Sequence, residues 1–488
     1  MRIKLHNIGI VKDSEMYIEG LTIITGKNNS GKTTVGKALY SLLDATSNIN
    51  AKERRDRCEY ISKKLENILD NMDFIRLWIR SIGKMNNDNV PNPFDDYPSI
   101  DAFLTSKYRH DILFMEIEQF AHRLYDELSS IDIQTISQRL ADTFNFVSAT
   151  FDDEKKRAND FLAKELYDAI EMLGEMFTKL SQDSQLIAYA RESINQTLKI
   201  EFSDQIQPAK FEVESSKIEL YDSNTCCYDV TIINNRVYND GTPVYFTSPY
   251  KKVFFIDNPF IFDDPFVTRR YIANQIDEEL DSFLRPNNIV SHNNNLKYVL
   301  RRKPSPSVLE QTLLTESLQK IKAEIDTIIP GTFEFSSSGD YYVQNGTKLK
   351  VPNLATGSKM FSIIKILLEK GELDKSTMLI LDEPEAHLHP SWQNRFAEMI
   401  VLLVKEMGVN ILLTTHSSNF VLAIDAYMRK YEIQDCTNFY RTEFLECGMV
   451  EYNCVNENMD VIYKDFLQSL SDMKMLRNRI IKNEGDNA

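Results

Sequence analysis

The run Gly26-Lys27-Asn28-Asn29-Ser30-Gly31-Lys32-Thr33-Thr34 has the residue types of a phosphate cradle. Glycines let the backbone turn tightly enough for successive N–H groups to face one anion, and the N-terminus of a following helix adds positive potential. Lys32 would neutralise the β- and γ-phosphates of a nucleoside triphosphate. Gly26, Asn28, Asn29, Ser30, Gly31, Thr33 and Thr34 would line the loop, with the Thr33 hydroxyl on Mg²⁺. Far along the chain, Met378-Leu379-Ile380-Leu381 ends in Asp382-Glu383-Pro384. A buried strand of that kind delivers Asp382 to the same metal and leaves Glu383 to orient or deprotonate the attacking water. A third run, Ile411-Leu412-Leu413-Thr414-Thr415, leads into His416-Ser417, where an imidazole can touch the γ-phosphate or the water. Together these motifs predict ATP binding and hydrolysis with Mg²⁺: Lys32, Glu383 and His416 as the catalytic set, Thr33 and Asp382 as the metal ligands. Thr356-Gly357-Ser358 opens a further helix. One subunit already has one cradle, so this turn is expected to close over ATP bound to a second copy.

These residues must be brought together by strands that end on one edge. Leu21–Thr25 is an apolar, β-branched run before the first glycine, and Lys32–Leu43 reads as the helix after the loop. Strands at 378–381 and 410–414 alternate with helices at 358–370, 391–407 and from about 418, the pattern of a parallel sheet covered on both faces. Residues 2–8, 217–221, 228–233 and 252–256 also read as strands, and 332–335 with 340–344 as a hairpin. Between 51 and 200 the period becomes helical with charged faces, interrupted by the turn-rich segment 86–93; helical period returns at 267–284 and 307–329. The expected fold is α/β, a mixed sheet flanked by helices, built from residues 1–50 and 205–455. A large helical insertion or dimerisation arm fills 51–204, and a C-terminal helix and tail fill 456–488.

Composition narrows the partners. With 488 residues, 42% of them hydrophobic, the chain has material for a sizeable core. Its formal net charge of −16 argues against a surface built for polyanions. The basic clusters Lys297 with Arg301-Arg302-Lys303, and Lys474 with Arg477 and Arg479, read as solvated helix faces, so nucleic acid is possible but not evident. The six cysteines form no CxxC pair and are expected to be free thiols in a reducing compartment. No long apolar run occurs, and a soluble cytoplasmic protein without membrane contact is expected.

The four elements in this order, with Asp382-Glu383-Pro384-Glu385-Ala386-His387-Leu388-His389-Pro390, resemble the ABC-type P-loop ATPase head shared by SMC-like, RecF-like and OLD-family proteins. The resemblance covers roughly 1–45 and 350–425. It implies that Gly26–Thr34 are the Walker A loop, Asp382 and Glu383 the Walker B acids, 384–390 the D-loop and His416 the switch histidine. Thr356-Gly357-Ser358 falls where the family has Ser-Gly-Gly, a departure at two positions. Asp257-Asn258 stands in the topological place of the Q-loop. The wording of the D-loop and the Thr-Gly-x-Lys turn look most like the ATPase subunits of bacterial antiphage systems, the PtuA type of Septu and certain retrons and the AriA type of PARIS. That kinship implies a homodimer or larger ring controlling a nuclease or toxin effector encoded nearby. The alternative is an SMC- or RecF-like DNA-repair ATPase, which should show heptad arms with a CxxC hook or a basic groove; neither is present. An OLD-type nuclease centre needs a carboxylate cluster after the ATPase core, and no Asp-x-Asp follows His416, so nuclease chemistry is not expected in this chain. His387 and His389 are expected to pack or hydrogen-bond and not to bind metal.

Overall fold

The computed structural model describes residues 1–73, 75–76, 94, 96–104, 116–132, 134–136, 139, 152–181, 185–238, 248–263, 291–302, 316–336, 339–464, 471 and 473–477. The expected loop at 86–93 and helix at 267–284 lie outside the described residues. The chain divides into two compact units, one of Met1–Ile49 with Ile187–Ala488 and one of Asn50–Leu186.

The first unit is organised by an eleven-stranded sheet of order β6-β5-β4-β1-β2-β14-β13-β3-β12-β11-β7. Its parallel part is β13 (Thr437–Phe444), β3 (Leu21–Thr25), β12 (Asn410–Thr415), β11 (Thr377–Asp382) and β7 (Lys252–Ile256). Side chains alternate between the faces of each strand, so a strand covered on both faces must be apolar throughout. Leu379 and Leu381 of β11 join one core with Ile411 and Leu413 of β12 and with α9 (Thr356–Glu369), α10 (Pro390–Met407) and α11 (Ser418–Lys430). Met378, Ile380 and Leu412 join the other with α1 (Lys32–Thr46) and α6 (Gln185–Glu201). The mixed sheet flanked by helices is the architecture expected from the sequence.

The antiparallel wing is β1 (Arg2–Ile8), β2 (Val11–Tyr17), β4 (Ser216–Asp222), β5 (Thr225–Ile233) and β6 (Arg236–Val237), and β14 (Val450–Cys454) pairs antiparallel with β13. Sequence reading names strands at 2–8 and 21–25 in the first 25 residues and assigns no element to 437–454, whereas β2, β13 and β14 are strands. Val11-Lys12-Asp13-Ser14-Glu15 is too polar to signal a strand by itself, and only pairing with β1 makes it one. The expected hairpin acquires a third strand, giving β8 (Thr332–Ser336), β9 (Gly339–Gln344) and β10 (Thr347–Lys350). Two more described helices, α7 (His292–Arg301) and α8 (Glu316–Ile328), belong to this unit.

The second unit contains α2 (Ile49–Asn71), α3 (Pro98–Leu104), α4 (Ile117–Ser130) and α5 (Asp152–Leu180). Helical spacing builds its core from Ile61, Leu65, Ile68 and Leu69 of α2, Phe120, Leu124 and Leu128 of α4, and Leu162, Leu166 and Leu173 of α5. The expected insertion ran to 204, but α6 from Ile187 onward groups with the sheet: Ile194 and Leu198 enter its core and Ser193 donates to the Ala45 carbonyl at 3.0 Å. Among the described residues no helix is long and apolar enough to cross a membrane, and all six cysteines are free.

Candidate functional site

The parallel strands end in register: Leu381 opposite Ile256, Asp382 opposite Thr414, Thr415 opposite Thr25, and Thr25 opposite Arg441. Gly26, Asp257, Glu383 and His416 therefore leave the sheet side by side at its C-terminal edge, and Thr442, still within β13, stands beside Gly26.

After β3 the chain turns through Gly26 and enters α1 at Gly31, whose φ of 74° is in the left-handed region. A Cβ at Gly26 would lie 1.7 Å from Thr442 Oγ1, and one at Gly31 2.6 Å from Ile10 Cγ2, so neither position has room for a side chain. Thr442 Oγ1 donates to Ser30 Oγ at 2.8 Å, Ser30 Oγ donates to the Lys27 carbonyl at 2.7 Å, and Tyr452 OH donates to the Gly31 carbonyl at 2.5 Å. The loop is thus pinned from the β13–β14 hairpin. The α1 N-terminus has no side-chain cap, and the main-chain N–H groups of Asn28, Asn29, Gly31, Lys32 and Thr33 donate no hydrogen bond within the described structure. Such a set of unpaired N–H groups at a helix start is a seat for an anion.

Lys32, buried, donates from Nζ to the carbonyls of Gly26 at 3.2 Å and Lys27 at 3.0 Å, and lies 3.4 Å from Glu383 Oε1. Thr33 Oγ1 donates to Asp382 Oδ2 at 2.7 Å, and Thr414 Oγ1 donates to Asp382 Oδ1. Burial pushes the Asp382 carboxyl above its usual range; those two hydrogen bonds oppose this, and the charges of Glu383 and Asp257 add to it. Glu383 has φ 48°, a strained conformation for a glutamate, held by its N–H donating to both the carbonyl and the hydroxyl oxygen of Thr414 at 3.1 and 3.2 Å. Its carboxylate lies between Lys32 and His416, whose Nδ1 stands 3.1 Å from Glu383 Oε2. Glu385, buried, accepts from Thr415 Oγ1 at 2.5 Å and from the His416 N–H at 3.3 Å, and burial raises its carboxyl. It therefore fixes the backbone on which His416 sits.

Asp257 and Asn258 divide their work. Asn258 accepts from the Phe260 N–H at 2.8 Å and caps the turn Pro259–Phe262, while Asp257 keeps a buried Oδ1 with no hydrogen-bond partner. Among the described residues no group of three or more His, Cys, Asp or Glu side chains could hold a metal alone. Mg²⁺ commonly takes one or two carboxylates and completes its shell with water and phosphate oxygens. Asp382, the Thr33 hydroxyl and the unpartnered Asp257 oxygen suit an ion of that kind arriving with a nucleotide.

Thr356, Gly357 and Ser358 open α9 without a side-chain cap. A Cβ at Gly357 would meet Leu388 Cδ2 at 3.2 Å, so the turn packs against the segment after β11. Among the described residues no hydrogen bond or ion pair joins it to residues 26–34. His389 Nδ1 accepts from the Ser391 N–H as the cap of α10, and the His387 ring stands 5.5 Å from that of Phe260. The basic cluster near 301 is paired internally: Arg301 with Asp340 at 2.6 Å, and Arg302 with Glu372. Lys303 and Arg479 lie outside the described residues.

Sequence reasoning missed Thr442 and Tyr452 as loop supports, Glu385 as the holder of the His416 backbone, and Thr414 as the group that grips both acids. Thr414 and Glu385 sat inside quoted motifs; Thr442 and Tyr452 carry no local signature.

Over 117 residues the chain is 30% identical to the Old nuclease of Escherichia phage P2, a match covering 24% of this chain and 18% of that protein. Among solved structures it is similar to an SMC head bound to the C-winged helix domain of ScpA, with TM-score 0.36 and 9% identity over 94% of this chain and 98% of that one. It is also similar to the SMC head domain from Thermotoga maritima, with TM-score 0.33 and 9% identity over 93% and 98%. The model of the AAA ATPase domain matches residues 1–421, which include the glycine loop, the paired acids and His416, and the chain belongs to that family.

Proposed function

We propose that this ATPase domain binds ATP with Mg²⁺ on the N–H groups of residues 28–33, Lys32, Thr33 and Asp382, and hydrolyses it through Glu383 and His416. The observation that carries the reading is the Thr33–Asp382 hydrogen bond, which joins the start of the phosphate cradle to the end of the acid-bearing strand. Lys32 would exchange the loop carbonyls it now holds for phosphate oxygens, freeing Glu383 to accept a proton from water. His416 would keep that carboxylate oriented and reach the γ-phosphate. Mg²⁺, when bound, would neutralise charge developing on the phosphate oxygens.

Among the described residues no hydrogen bond or ion pair joins the uncapped turn Thr356–Ser358 to its own cradle, which supports a site shared between two copies, the turn of one closing over the ATP of the other. Beyond the reaction, we propose that assembly controls a nuclease or toxin effector encoded nearby, in antiphage defence. The support is the shared wording of 382–390 and of the Thr-Gly-x-Lys turn. We place nuclease chemistry in that partner and the nucleotide chemistry in this ATPase domain.

Two variants test the site. Lys32→Ala is expected to lose ATP binding in a fluorescence titration; normal binding would remove the cradle assignment. Glu383→Gln should bind ATP, hydrolyse it at least ~100-fold more slowly, and elute with ATP as a dimer or larger species. Wild-type turnover in Glu383→Gln would take the water-activating role away from this residue.

A further inference from the structure

At the end of β7 lies a buried charge relay that the hydrolysis scheme above leaves unused. His292, the first residue of α7, is buried between Glu201, the last residue of α6, and Asp257. Glu201 Oε1 accepts the His292 main-chain N–H at 2.9 Å and Oε2 faces its Nδ1 at 2.5 Å. Nε2 stands 3.0 Å from Asp257 Oδ2, an ion pair without hydrogen-bond alignment. The ring packs on Phe255 of β7 at 4.4 Å and edge-on to Tyr40 of α1 at 5.9 Å. One turn on, Asn295 donates to Tyr40 OH at 3.4 Å and Asp44 Oδ1 at 3.3 Å. The imidazole therefore touches the helix that follows the cradle, the strand beside the acids, and α6.

The buried imidazole is thus held between two carboxylates, Glu201 on its Nδ1 side and Asp257 on its Nε2 side. A buried ion triplet adds little net stability over an apolar one, and here it leaves Asp257 Oδ1 buried with no partner. Asp257 follows Ile256 as Asp382 follows Leu381, its partner on the adjacent strand, so the two carboxylates stand next to each other in register. A carboxylate with one oxygen held against a buried imidazole and the other vacant, beside the acid proposed to bind the ion, has the form of a supported ion ligand.

We propose that Glu201 and His292 are positioning residues that hold Asp257 on the divalent-ion side of the nucleotide site, so that the seat of α6 sets the site's affinity for the ion. This rests on the ATP–Mg²⁺ reading above. Helix α6 is the segment through which the chain returns from the helical unit, and Glu201 at its end grips both the ring and the first N–H of α7. A shift of that end draws His292, and with it Asp257, away from the ion. Divalent-ion affinity then becomes the property through which the state of α6 reaches ATP turnover.

The test separates metal from nucleotide. Affinity for a fluorescent ATP analogue is measured in EDTA, and Mn²⁺ affinity of the AMP-PNP complex by electron paramagnetic resonance. Asp257→Asn and His292→Gln are expected to keep metal-free nucleotide affinity within about twofold and to weaken Mn²⁺ by about 10- to 100-fold. Their double variant should be no weaker than the worse single one, because both act through one carboxylate. Glu201→Gln, which keeps shape and an acceptor for the His292 N–H, should weaken Mn²⁺ by at least about threefold; it carries the test of the relay if His292→Gln does not fold. Unchanged Mn²⁺ affinity in Asp257→Asn, or in the folded relay variant, or additive losses in the double variant, would overturn the proposal. Failure of the underlying reading shows elsewhere, as wild-type protein that binds no nucleotide in EDTA or as Lys32→Ala that binds it normally.

Discussion

Thr414 holds Asp382 through its hydroxyl and Glu383 through both its hydroxyl and its carbonyl, so one side chain sets the geometry of two acids. Thr414→Val keeps the shape and removes the hydroxyl. It is expected to lower ATP turnover by roughly tenfold while leaving nucleotide affinity near that of the wild type, measured by steady-state hydrolysis beside a binding titration; equal turnover would show that neither acid needs the hydroxyl. At Gly26 the constraint is space, since a Cβ would fall 1.7 Å from Thr442 Oγ1. Gly26→Ala should cost about 1–3 kcal/mol in displaced loop and raise the ATP dissociation constant more than tenfold. Adding Thr442→Ala should return part of that loss. Gly26 was legible in the sequence as a turn glycine, but Thr442 was not, because the contact it makes joins positions 412 residues apart through Ser30.

At the scale of elements, β11 carries the acids and is packed on both faces, between β7 and β12 in the sheet plane. Ile380→Ala in this strand should destabilise the protein by about 2–5 kcal/mol, read as a lower urea midpoint at constant slope; a shift below ~0.5 kcal/mol would mean that the strand is not the centre of its core. The helical unit offers a local counterpart. Glu127 of α4 accepts the N–H of Ser99 from both carboxylate oxygens, at 3.1 and 2.9 Å, and that of Ile100 at 3.0 Å, capping α3 from outside its own sequence. Glu127→Ala should loosen α3 by ~1 kcal/mol. Hydrogen exchange should accelerate in Pro98–Leu104 with ATP binding untouched, and unchanged exchange there would remove the cap. Amphipathic period made these helices readable, whereas β2 and β13 needed neighbours to become strands.

For the whole molecule the open matter is whether one chain suffices. A shared site of the kind proposed would make activity a property of pairs, and pairs of unlike variants test it. Lys32→Ala spoils the cradle and Ser358→Arg spoils the turn, so each alone is expected to be inactive. A mixed dimer has one site built from an intact cradle and an intact turn. Equal mixing should restore about a quarter of wild-type turnover, measured after the two proteins are equilibrated together. No recovery, or activity in Ser358→Arg alone, would show that the turn acts outside the reaction. The charge of −16 and the internal pairing of Arg301 and Arg302 fit the proposed protein partner better than a nucleic acid.

By itself the sequence determined which residues are candidates for the chemistry: Lys32, Thr33, Asp382, Glu383 and His416 stand out because each lies in a short run whose strand or helix can be read from its own periodicity. It also determined that a parallel sheet would carry them, since alternating strands and helices admit few other arrangements. The tertiary structure alone decided which groups hold those residues in place. Thr442 and Tyr452 reach the cradle from a late hairpin, Thr33 meets Asp382 across 349 positions, and Glu201, His292 and Asp257 converge from three separate elements. Supporting contacts of this kind follow from strand register and helix docking, which are set by the packing of the whole core and leave no pattern in any single stretch of chain.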